Sequence, residues 1–362
     1  MEPAPSHTIY ATFGRWPARA TLLAWLLITV LGVAITRSHS ASNVISKNRP
    51  GPGDNELYWA VAERVGHGEG YYTALARELR SRGYPTRSVF NWRTPLPIWL
   101  IGHLPYHWIG RLALGLLGLA VLVLGTEMII REERPRIGRA LLTTLLLGGP
   151  ALVCGLPDLF IMPILWASTL IALSVCAYGL NWRPLAIGAG LLAPFFRDLA
   201  LPYCLLCAGL AWRERRGKEL AIWVAGLLAW AAFFGFHWLE VSRVMPPGGR
   251  AHAQSWIQFG GLPFVIATAQ MNSYLLWLPQ GVAAVYFVAA MFGMVGWHTT
   301  GGRRITISAA LFVIAFSVVG QEFNVYWGVL ISPLLCFGAA RVPAALCDLW
   351  HAARSTDPGT DR

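Results

Sequence analysis

Charge is what this sequence has least of. Asp, Glu, Lys and Arg make up 13% of its 362 residues, about half the roughly 25% share of a soluble globular domain. With 55% hydrophobic residues and a mean hydropathy of +0.49, a water-soluble fold is excluded. What remains is an all-α polytopic membrane protein. Acid is scarcer than base, 18 Asp and Glu against 29 Lys and Arg. In a soluble chain that excess would point to nucleic acid. Here the basic residues fall in short clusters between apolar runs, such as Arg131 to Arg139 and Arg213 to Lys218, which is how membrane topology is set. The 17 Trp and 11 Tyr suit two interfacial belts better than base stacking. The six cysteines lie in or beside apolar runs. Cys204 and Cys207 have CxxC spacing but no accompanying His or acid, so packing is their expected role. No internal repeat or low-complexity segment is present.

Ten membrane spans are predicted, at 20–36, 97–130, 140–156, 159–180, 185–196, 199–212, 219–239, 281–297, 305–319 and 325–340. Small residues from Ser38 to Ser42 could mark a cleavage site after the first span; we read that span as an uncleaved anchor. The positive-inside rule then puts both ends of the chain in the cytoplasm, because more than half of the 29 Lys and Arg fall in segments on that side. Residues 341–362 are expected to be a cytoplasmic tail. Residues 37–96 and 240–280 become extracytoplasmic loops of one domain spanning 1–362. In the first loop, Leu57, Ala60, Val61 and Val65, then Tyr72, Leu75, Ala76 and Leu79, follow helical spacing. They predict two amphipathic helices lying apolar face down on the membrane.

This topology places Asp54, Glu56, Arg93, Asp158, Arg197, Asp198, His252, Glu322, Asn324 and Tyr326 on the outer side. Ionisable groups at span ends are costly unless paired or solvated, and mark functional sites. A carboxylate can take a proton from a hydroxyl, and arginine forks can hold a leaving phosphate. Surface helices and an apolar cavity suit a long isoprenoid tail. Together these point to transfer of a sugar from a lipid phosphate to an acceptor at a plasma (inner) membrane, on its extracytoplasmic side.

At these residues the sequence resembles the C-type (GT-C) membrane glycosyltransferases. Gly53-Asp54 with Tyr58 follows the first span, Asn91-Trp92-Arg93-Thr94-Pro95 leads into the second, and Phe196-Arg197-Asp198-Leu199-Ala200-Leu201-Pro202-Tyr203 and Asn324-Val325-Tyr326-Trp327-Gly328 come later. The resemblance implies a polyprenyl-phosphate-linked sugar as donor, an inverting displacement, and Asp54 as catalytic base. It implies no cofactor beyond the divalent metal that some relatives use, for which Asp54 and Asp158 are the candidates. The acceptor would be a glycan, lipid or protein. The sequence is expected to depart from larger members in having no soluble C-terminal domain and fewer spans, which leaves the acceptor class open.

Each candidate has a plainer alternative. Asp54 could cap the first surface helix. Arg197 could only pair with Asp198, and Arg93 could snorkel to the interface. Asp158 could be a solvated turn residue, and Glu322 and Asn324 could cap a turn rather than line a cavity with Tyr58, Tyr326 and His252. Glu56 reads as a solvated helix face. A transporter or flippase of a lipid-linked or anionic solute is the alternative function. Against it, the spans lack repeats and paired broken helices.

Overall fold

The computed structural model describes residues 8–36, 53–133, 137–251 and 255–355. Among them the chain forms α-helices joined by short 3-10 segments, with one isolated antiparallel bridge between Ile257 and Val319. The helices are α1 (Arg15–Thr36), α2 (Asp54–Gly66), α3 (Tyr71–Ser81), α4 (Pro95–Gly102), α5 (His107–Glu133), α6 (Ile137–Cys154) and α7 (Pro163–Gly179), followed by α8 (Arg183–Phe196), α9 (Leu201–Arg213), α10 (Gly217–Val244), α11 (Gly261–Ala269), α12 (Gln280–Val295), α13 (Thr300–Val318) and α14 (Ser332–Arg354).

Six of these are long and apolar enough to cross a bilayer: α1, α5, α6, α10, α13 and α14. Helices α7, α8 and α12 are shorter and apolar. The expected ten spans are therefore redistributed. The second divides around Leu104-Pro105-Tyr106 into α4 and α5. The last starts later than expected, because Glu322–Leu330 winds as a 3-10 segment and α14 begins only at Ser332. Proline explains several of these boundaries. Pro95, Pro163, Pro184, Pro202 and Pro333 each sit in the first two helical positions, where the missing N–H costs nothing. The expected tail is helical through Arg354, with Arg341 buried inside it.

Helix α1 shows leucines outward on most of its surface, whereas α7 is buried nearly throughout. α7 anchors the main core with α8, α13 and α14. Small residues let helices touch. Gly293 of α12 lies against the Gly338 backbone of α14, and Gly328 lies against Thr268 so closely that a Cβ there would overlap the Thr268 carbonyl. Such contacts are how apolar helices associate without a hydrophobic drive.

The two helices of the first loop form as the spacing predicts, but their apolar faces do not lie open for lipid. Leu57, Val61 and Val65 of α2 and Leu75 and Leu79 of α3 close a second core with Ile98, Ile101, Phe160 and Val241. Protein surface was available to cover them, so packing replaces the interface. Ion pairs tie the two helices and their connection together. Glu78 takes Arg64 at 2.6 Å and Arg82 at 3.0 Å, and Arg77 reaches Glu69 at 3.2 Å. Glu56 is exposed, as read from the sequence.

Polar contacts gather at the two ends of the bundle. At one, Thr8 donates to Asp348, Trp297 and Thr299 donate to Glu132, and Arg183 pairs with Glu219. At the other, the backbone of Thr86 and Arg87 donates to Arg250, and that of Gln258 and Phe259 to Val318. The connections following α1, α6, α8, α10 and α13 meet there. Five cysteines, Cys204 and Cys207 among them, are buried free thiols; Cys347 departs from the expectation in being exposed.

Candidate active site

The site starts at the first turn of α2. Gly53 is the N-cap, so Asp54 is the first helical residue rather than the cap. A carboxylate there is favoured by the helix dipole. Asp54 is buried, and Tyr84 donates its hydroxyl to Asp54 Oδ1 at 3.1 Å. Tyr84 reaches it because α3 ends in a Schellman turn. Gly83 takes a φ of +68°, and the Gly83 and Tyr84 N–H groups bond back to Arg80 and Leu79. A glycine at that position is what such a reversal requires.

One turn on from Asp54, the buried Tyr58 accepts from Arg93 Nε at 2.7 Å. Arg93 is itself fixed from several sides. Its Nη1 donates to the Phe90 carbonyl at 3.2 Å and its Nη2 to the Tyr326 hydroxyl at 3.4 Å. Its own carbonyl accepts from Tyr71 Oη at 2.8 Å. Next to it, the buried Trp92 donates to the Thr86 carbonyl at 3.0 Å, and Pro95 starts α4. Arg93 is half-buried between helices and held by named partners, which is more than interfacial snorkelling. An arginine has five N–H donors; these contacts use three, and each terminal nitrogen keeps one for a further acceptor.

Arg197 ends α8 in extended conformation, and a 3-10 turn over Asp198–Ala200 leads straight into α9. Its buried guanidinium donates to Asp198 Oδ1 at 2.8 Å. Arg197 is close enough to act electrostatically on Tyr58, and Asp198 on Arg93. Burial pushes the Tyr58 hydroxyl well above the ordinary phenol range; Asp54 and Tyr326 add to this, and the positive charges of Arg93 and Arg197 oppose it. Tyr58 therefore stays protonated at neutral pH. Burial works against the charge of Arg93, but Tyr58, Tyr326, Asp54 and Asp198 outweigh it and hold the guanidinium above the usual arginine range. It stays cationic.

Asp54, Tyr58, Arg93, Arg197, Asp198 and Tyr326 are thus brought together from four separate stretches. Other candidates lie elsewhere. Asp158 sits in the left-handed region at φ +65° with its side chain exposed, and only its carbonyl enters the structure, accepting from Trp59 Nε1 at 3.3 Å. Glu322 is exposed. Asn324 is buried as a turn cap, its Oδ1 accepting from the Gln321 N–H at 2.9 Å. His252 lies outside the described residues. Among the described residues no group of three or more His, Cys, Asp or Glu is placed to hold a metal.

Tyr84 and Tyr71, which hold Asp54 and Arg93, were not legible as site residues. Nor was His237, which is buried behind them on α10. For His237 a signal existed: it is the one His, Asp, Glu, Lys or Arg between residues 220 and 238 of its apolar run.

The fold and these end-clustered polar groups define a multi-pass α-helical membrane protein. No family model matches the chain, and no curated protein matches it. Among solved structures it is similar to the crystal structure of ArnT from Cupriavidus metallidurans in the apo state. That similarity has 15% identity and a TM-score of 0.46, and it covers 91% of this chain and 60% of that one. The chain thus spans less than two thirds of the length of the solved relative.

Proposed function

We propose that the protein is a membrane glycosyltransferase that moves a sugar from a polyprenyl-phosphate donor to an acceptor hydroxyl with inversion. One observation carries this reading: a buried carboxylate at a helix N-terminus shares a cluster with two arginines contributed by distant segments. In this reading Asp54 takes the acceptor proton as the glycosidic bond forms. Arg93 and Arg197 hold the phosphate that leaves. Tyr58, protonated and bonded to Arg93, keeps the guanidinium from collapsing onto Asp54. Donor binding tests it. The purified protein should bind a polyprenyl monophosphate and bind the polyprenol of equal length much more weakly. Equal affinity for the two, or none for either, would sink the proposal.

We also place the site end of the bundle outside the cytoplasm, on the distribution of Lys and Arg. A cysteine at Glu56, in a variant lacking Cys347, should react with an impermeant maleimide added to intact cells, while one at Gly217 should not. The opposite pattern would turn the site toward nucleotide sugars.

A further inference from the structure

Helices α10 and α1 are the least buried of the long helices, yet α10 carries one fully buried histidine. Along Gly217–Val244 the inward-facing residues are Glu219 and Trp223 near one end, and His237 and Val241 near the other. His237 shows no exposed surface. A titratable group in such a position is expensive and is kept for a reason.

Its surroundings supply that reason. His237 Nδ1 is hydrogen-bonded to the Tyr72 hydroxyl at 3.2 Å, and the two rings lie 5.7 Å apart. Tyr72 stands edge-on to Tyr71, with centroids 5.2 Å apart. Tyr71 in turn donates to the Arg93 carbonyl. The imidazole also borders the Trp92 backbone, and its Nε2 is buried without a partner. One turn earlier on α10, Phe234 stacks on Phe90 at 6.0 Å, from the turn whose carbonyl Arg93 uses. The outer end of α10 therefore backs the Arg93 segment on two sides, through Phe234 on Phe90 and through His237 on Tyr72.

We propose that His237 is a positioning residue for phosphate recognition: with Tyr72 it fixes the Tyr71 hydroxyl and the Trp92–Arg93 peptide, and so aims the Arg93 guanidinium. This rests on the reading of Arg93 as a donor-phosphate ligand. His237 does not touch the donor, and its contribution reaches the phosphate only through Arg93. The alternative, that a polar residue merely ties α10 to α3, predicts a loss of stability that is indifferent to the ligand's head group.

The test compares polyprenyl monophosphate with polyprenol of the same length, each titrated against purified protein. Tyr72→Phe removes a single hydroxyl. His237→Leu removes the imidazole, and His237→Asn restores a polar atom near the place of Nδ1. Loss of one neutral hydrogen bond should weaken phosphate binding roughly three- to tenfold. Tyr72→Phe and His237→Leu should show that loss with the polyprenol affinity unchanged. The double variant should be no worse than either single one, and His237→Asn should recover most of the affinity. In an Arg93→Lys background, His237→Leu should add little. Should His237→Leu fail to fold, Tyr72→Phe alone carries the comparison. The inference is overturned if the variants bind phosphate like the parent while Arg93→Lys does not, or if phosphate and polyprenol affinities fall together. If the parent protein itself discriminates no phosphate, the functional reading fails and this inference fails with it.

Discussion

Asp54→Asn should express and bind donor like the parent protein, yet transfer sugar ~10²–10⁴ times more slowly, the usual cost of losing a general base. The substitution is close to isosteric. Its amide oxygen can still accept from Tyr84, so the contact that holds the first turn of α2 to the segment after α3 survives. What it loses structurally is a negative charge at a helix N-terminus, about 0.3–1 kcal/mol. That is far too little to unfold the protein. Measuring initial rates and thermal midpoint on the same preparation separates the two effects. A rate within a few-fold of the parent's would make Asp54 a partner of Tyr84 and nothing more. The base would then be sought at Asp198, the other carboxylate that acts on Arg93, since the side chains of Asp158 and Glu322 are exposed.

Arg93→Lys should be nearly as damaging, by a different route. Lysine keeps the charge but has three donors on a single nitrogen, so it cannot span Tyr58, the Phe90 carbonyl and Tyr326 as the guanidinium does and still donate to a phosphate. A charge-assisted hydrogen bond is worth about 1.5–3 kcal/mol, so loss of one phosphate contact alone implies ~10–100-fold weaker donor binding. Freed from Arg93, Tyr58 and Tyr326 also lose the group that spaces them, and turnover at saturating donor should fall as well. Calorimetry with polyprenyl monophosphate and single-turnover rates would show both losses. Unchanged donor affinity would assign the phosphate to Arg197 alone.

Much of this arrangement could be read before any coordinates. The prolines at 95, 163, 184, 202 and 333 sit at helix starts by a local rule, yet the spans expected from hydropathy began at 159 and 325, because an apolar run does not show where helical winding starts. Tyr58 and Leu57 fall on the buried face of α2 because a period of 3.6 is intrinsic to the chain. The cluster of Asp54, Arg93, Arg197 and Tyr326 was accessible because topology alone sends their connections to one end of the bundle.

What could not be read depends on which surfaces meet. The spacing of Leu75 and Leu79 shows an apolar face but not its partner, and Ile98 and Val241 cover it in place of lipid. Asp158 and Asn324 share the right end of the molecule with Asp54. A single left-handed residue turns one outward, and a backbone N–H claims the other. His237 was passed over because an isolated histidine in a span says nothing about where Tyr72 will lie.

The contact between Thr8 and Asp348 joins positions 340 residues apart. Arg19 on α1 likewise donates to the Ala353 carbonyl, and Tyr10 to that of Phe292. Helix α1 thus leaves the ribosome long before the segments it is seated against. At ~5–20 residues per second, roughly 20–70 s separate the synthesis of α1 from that of its partner, and for that interval α1 must wait in the bilayer unaccompanied. Its sequence suits the wait: Leu23, Leu26, Leu27, Val30 and Leu31 remain turned to lipid even after assembly, so the helix has little to hide while the rest of the chain arrives.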